Sequence, residues 1–84
     1  MTVFWKFNGE VRRGDFKRVV SEIIDPETKN RINIDATLSV NFRDAVIGIG
    51  DLIEIDGARW EVKSDSGERY RSFGLITRLK EAIV

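Results

Sequence analysis

The chain has 84 residues, with 14 basic side chains balanced by 14 acidic ones, no histidine and no cysteine. That length makes one domain, residues 1–84, and a thin core, since a chain of this size buries about 60–65% of its unfolded surface. The composition removes disulfides, thiolate chemistry and the commonest general base and metal ligand, and zero net charge argues against a dedicated nucleic-acid binder. No apolar run approaches the roughly 20 residues of a membrane span, and there is no signal-peptide core, so the expectation is a soluble intracellular protein.

Thr2–Phe7 alternates, with Val3, Trp5 and Phe7 on one side and Phe4 and Lys6 on the other, and reads as a strand. Phe4 therefore points away from the apolar row, toward a second covering layer or a partner. Asn8-Gly9 is a turn signal, and the polar stretch from there to Asp15 reads as a mobile hairpin loop. It contains Arg13-Gly14-Asp15, a tripeptide known from integrin ligands, which we ascribe to chance in a chain rich in these residues. In Phe16–Ile24 the apolar residues Phe16, Val19, Val20, Ile23 and Ile24 have helical spacing. Four of the five are β-branched, which favours a strand, bulged or regular, and leaves a helix capped by Asp15 as the alternative. Asp25-Pro26 ends it, and Glu27–Arg31 is an exposed loop.

Ile32–Phe42 alternates apolar and polar throughout, the pattern of a long half-buried antiparallel strand. Arg43–Gly50 follows, with Asp44-Ala45-Val46 able to form one helical turn. Ile49–Val62 reads as a hairpin closed by Asp56-Gly57, whose residues suit the positive φ angles of a type I′ turn. This turn predicts that Ile53 faces Trp60, Ile55 faces Ala58 and Glu54 faces Arg59. Lys63–Arg71 is read as a polar loop and Ser72–Lys80 as a final strand. Ile83 and Val84, at the end of the tail, are expected to dock on the sheet or on a neighbouring subunit. About six short strands joined by polar turns make an all-β fold, a small antiparallel β-barrel or sandwich.

No phosphate-binding loop is present, since Gly48-Ile49-Gly50 lacks the further glycine and the Lys-Ser/Thr that one needs. The carboxylates fall at turns and on the solvent faces of strands, Asp25 and Asp51 being placed to cap backbone groups. Ser64–Glu68 offers oxygens but only a fragment of a cation-loop spacing. No catalytic residue, cofactor or metal site is assigned. A nucleic-acid reading can be built from Trp5, Tyr70 and Phe73 as stacking aromatics, with Arg12, Arg13, Arg69, Arg71 and Arg78 nearby. The simpler reading puts Trp5, Trp60 and Phe73 in the core. Arg69-Tyr70-Arg71 is a contact candidate on chemistry alone, because Arg and Tyr are enriched at protein interfaces.

The order of Val19–Pro26, the long strand Ile32–Phe42, Arg43–Val46, Gly50–Gly57 and Trp60-Glu61-Val62, followed by an acidic Gly-containing loop, resembles the lambda-type tail-attachment (head–tail joining) proteins of long-tailed phages. The resemblance covers roughly Phe16–Leu79. Members of that family open with a helical segment, whereas residues 2–7 here read as a strand. The resemblance implies a small β-barrel without a catalytic site that assembles as a ring in the virion, after synthesis in the host cytoplasm. Its implied partners are the head connector or completion protein and the tail terminator protein, with no membrane and no specific nucleic acid. By position, Asn8–Asp15, with Arg12, Arg13 and Asp15, and Asp25–Arg31, with Lys29 and Arg31, would be loops that order on assembly. The alternative function is an OB-like barrel that binds single-stranded nucleic acid.

Overall fold

A computed structural model describes residues 1–25 and 27–77, with the backbone alone described at Val20. The described residues form six strands: β1 (Thr2–Phe7), β2 (Glu10–Ile24), β3 (Arg31–Val40), β4 (Leu52–Ile55), β5 (Ala58–Asp65) and β6 (Arg71–Thr77). They close into an antiparallel barrel in the order β1-β2-β3-β6-β5-β4. No helix among the described residues is long and apolar enough to cross a membrane.

Alternation decides what is inside. Val3 and Trp5 of β1, Ile34, Ala36, Leu38 and Val40 of β3, Ile53 and Ile55 of β4, and Trp60 and Val62 of β5 are buried, together with Phe16, Phe73 and Leu75. Trp5 and Phe73 are fully buried, and the ring of Phe16 meets Trp60 edge-on with centroids 5.3 Å apart. The aromatic residues Trp5, Trp60 and Phe73 are therefore core, as the simpler reading holds.

The hairpin β4–β5 has the predicted register: Ile53 faces Trp60, Glu54 faces Arg59 and Ile55 faces Ala58. Asp56 (φ 50°) and Gly57 (φ 79°) both take the positive φ that a type I′ turn requires. Asn8 (φ 52°) and Gly9 (φ 79°) repeat this geometry between β1 and β2.

Boundaries of β2, β3 and β5 differ from expectation. Glu10–Asp15 is not a mobile loop; it is the first half of β2, paired residue by residue with β1 from Phe7↔Glu10 to Thr2↔Asp15. Its charged residues hid the strand because the outer wall of a barrel is wet. Gly14 is buried within that strand, so the Arg-Gly-Asp tripeptide is not displayed on a loop tip. At the far end of β3, Phe42 leaves the apolar row and is 51% exposed, because the chain turns at Phe42–Asp44, with the Asp44 amide donating to the Asn41 carbonyl. That turn replaces the expected helical turn at Asp44–Val46. Finally, Lys63–Asp65 continues β5, where Ser64 and Asp65 pair with Gly74 and Phe73 past a bulge after Val62. The expected strand beyond Thr77 and the docking of Ile83 and Val84 lie outside the described residues.

Phe16–Ile24 is strand, and a register shift between Arg18 and Ser21 explains its helical spacing. Arg18 pairs with Ala36 and Ser21 with Ile34, so β2 carries one residue more than β3 there. An inserted residue breaks the period of two and leaves intervals of three and four.

The connection from β3 to β4 is pinned to the barrel. Ile47 is buried in the core, and Ala45 packs against it. The Asp51 carboxylate accepts from the Gly48 amide at 2.7 Å, while the Gly50 and Val62 amides donate to the Val62 and Asp51 carbonyls at 2.9 and 3.0 Å. Gly50 sits at φ 97°, a conformation that other residues rarely adopt.

A candidate interaction rim

Three strands and the connections after β3 and before β6 meet at one side of the barrel. The pairings Asp15↔Ser39, Ser39↔Ser72 and Val40↔Arg71 bring the middle of β2, the end of β3 and the start of β6 side by side. A shallow depression there is lined by Arg13, Asp15, Ser39, Asn41, Asp44 and Tyr70, among others. Tyr70 is 56% exposed at its edge.

Exposed aromatic rings flank the depression, and arginines cover them. Phe4, 63% exposed, lies opposite Arg13 in the ladder, with the Arg13 guanidinium 5.8 Å from its ring centre. Phe42 carries the guanidinium of Arg69 at 4.9 Å and that of Arg43 at 5.7 Å. Each such pair is worth about 0.5–1 kcal/mol at an exposed site. A guanidinium held over a ring keeps in-plane N–H donors for a carboxylate or phosphate, which makes the pair a pre-organised contact.

Of the residues singled out from the sequence, Arg13, Asp15, Arg69 and Tyr70 are brought to this rim. Arg12 supports it from behind: its Nη1 donates to Asp44 Oδ1 at 3.3 Å and its Nη2 to the Glu10 carboxylate. Its Nε is buried without a partner among the described residues. Asp15 Oδ1 accepts from the Met1 amine at 2.7 Å. Arg71 turns to its own loop, its Nε donating to the Glu68 carbonyl at 3.3 Å and standing 3.6 Å from Asp65 Oδ1. Lys29 and Arg31 are not part of the rim; they sit where β2 passes into β3, with Arg31 4.0 Å from Glu22. Sequence reasoning missed Phe42, Arg43 and Asp44 as rim residues. The available signal was a basic residue directly after the last apolar position of the alternating run.

Backbone hydrogen bonds link Asp25 to Lys29 and Asn30 between β2 and β3. The Lys29 amide donates to the Asp25 carbonyl and the Asp25 amide to the Asn30 carbonyl, both at 2.8 Å. The Glu27 amide donates to Asp25 Oδ1 at 2.9 Å. That bond, helped by Lys63 and Thr28, holds the Asp25 carboxyl below the ordinary aspartate value.

The oxygens of Ser64–Glu68 are used within their own turn. Asp65 Oδ1 accepts from the Gly67 amide at 2.8 Å, and Ser66 Oγ accepts from the Ser72 amide at 3.0 Å. Among the described residues no cluster of three or more acidic side chains could hold a metal ion. The rim is thus a surface of mixed charge: arginines on aromatic rings outside, Asp15 and Asp44 in the depression. Comparison with protein-family models, with curated proteins and with solved structures gave no match.

Proposed function

We propose that the protein is a structural component of a phage or prophage virion that joins the filled head to the tail by forming a ring at the head–tail interface. The connector or completion protein lies on one side of the ring and the tail terminator protein on the other. The reading assigns no reaction and no cofactor.

The rim carries it. Exposed Phe4, Phe42 and Tyr70, with Arg13, Arg43 and Arg69 among them, stand on a small rigid barrel, and aromatic residues and arginine dominate the energetics of protein contacts. The mixed charge of the depression suits a protein surface better than a polyanion, which Asp15 and Asp44 would repel. The rings of Phe4 and Phe42 already carry guanidinium groups, which an incoming base would have to displace.

The test is complementation of a joining-defective phage with this chain. Infectious particles are expected, and continued accumulation of free heads and free tails would overturn the reading. A titration with single-stranded oligonucleotides at two salt concentrations covers the rival class, whose phosphate contacts would give tight binding with a steep salt dependence.

A further inference from the structure

β1 accompanies β2 as far as Asp15, with one more bond from the Phe16 amide to the Met1 carbonyl. Beyond that point Lys17–Ile24 has β3 on one side and, among the described residues, no strand on the other. An open edge of this kind is a template for another strand. Its side chains have a polarity. Lys17 and Arg18 stand before the bulge and Glu22 stands after it, all exposed.

Lys17 and Glu22 share the outer face of the sheet. Their ladder partners Thr37 and Asn33 alternate with Ile34, Ala36 and Leu38, which face the core. We propose that this edge pairs antiparallel with the same edge of a second copy, giving a two-fold dimer in which Lys17 of each copy lies across from Glu22 of the other. A parallel pairing in register would set Lys17 against Lys17, whereas the antiparallel one makes two opposite-charge cross-strand pairs. The bulge between Arg18 and Ser21 falls at the two-fold axis, with one charged pair on either side of it. Charge and bulge discourage indiscriminate strand addition, and complementary charge admits one partner. An isologous contact uses up both edges and closes, so the dimer does not grow into a fibre. The proposal rests on this edge and not on the head–tail reading.

Sedimentation velocity of the full chain over a concentration series at low salt tests it, with four samples: wild type, Lys17→Glu, Glu22→Lys and an equimolar mixture of the two variants. Wild type is expected to show a monomer–dimer equilibrium that weakens with added salt. Each variant alone is expected to dissociate about tenfold more readily, because two attractive pairs become repulsive. An equimolar mixture of the two variants restores both pairs and should return the association to within about threefold of wild type. Fluorescence of the buried Trp5 and Trp60 confirms that each variant is folded. Wild type that stays monomeric throughout, or variants that associate as well as wild type, would overturn the proposal. So would folded variants whose mixture associates no better than either alone. Amides of Lys17–Ile24 should exchange more slowly in the dimer than in the monomer, and unchanged exchange there would likewise overturn it.

Discussion

Gly14 lies against Trp5 so closely that a Cβ at residue 14 would stand 3.1 Å from the indole Nε1. The same Cβ would be 2.8 Å from Leu38 Cδ1 and 2.9 Å from Val40 Cγ1. Both neighbours are buried, so neither can swing into solvent. The glycine is there for space: its φ is not among the positive ones. Gly14→Ala should cost about 1–3 kcal/mol through overpacking, read as a lower urea midpoint with an unchanged denaturant slope.

Arg12 ties β2 to the connection that carries Phe42. Its partner Asp44 is 31% exposed, and the bond at 3.3 Å is charge-assisted. Asp44→Ala should destabilise the fold by about 1 kcal/mol, after allowance for solvent screening. The change should also broaden the NMR signals of Phe42 and Arg43, which that turn positions.

The Asp25 carboxyl is held below 3.8 chiefly by the Glu27 amide. A carboxyl lowered on folding favours the folded state above its unfolded pKa, and that contribution is lost as pH falls through the folded value. The hydrogen bond from the Glu27 amide to Asp25 should therefore be intact at neutral pH and be lost as acidification takes the pH through the lowered carboxyl value. The Glu27 amide shift should titrate with a midpoint below 3.8, and Asp25→Ala should abolish that transition.

Arg69 contributes to the rim and to little else, being exposed with its guanidinium over Phe42. Arg69→Ala should change stability by no more than about 0.5 kcal/mol. If the rim is the joining surface, the same substitution should lower complementation of a joining-defective phage at least tenfold, with normal expression. A variant that complements as well as wild type would separate the rim from that role.

The hairpin of β4 and β5 was legible because two independent signals agree there, the Asp56-Gly57 turn and the apolar set Ile53, Ile55 and Trp60. Glu10–Asp15 was not. A wall strand of a closed barrel exposes Val11, Arg13 and Asp15, and its inward Gly14 is chosen for the absence of a side chain. Residue by residue, that looks like a loop. Phe42 misled for a related reason: an alternating pattern tells which face a residue takes while the strand lasts, and not where the strand stops. The rim was half legible. Arg69-Tyr70-Arg71 stood out as a triplet, but β6 begins at Arg71, which engages Asp65 and leaves Arg69 and Tyr70 at the rim. Their meeting with Phe42 and Arg13 depends on pairings between strands distant in the chain, which local pattern does not encode.

The barrel closes through β1 and β4, where the register is confined to Trp5↔Ile55 and Lys6↔Glu54 among the described residues. The neighbouring seams β1–β2 and β4–β5 each join strands through a two-residue turn, so they close small loops and can form early. The β1–β4 seam brings together segments far apart in sequence, and its short register offers little to offset that entropy. Closure of this seam is therefore expected to be a slow step of folding, and hydrogen exchange of the Trp5 and Lys6 amides is expected to report its opening. In an assembly the clock would be set there: a partner that grips both β1 and β4 would slow unfolding of the whole barrel, and one that grips β2 and β3 would leave that rate almost untouched.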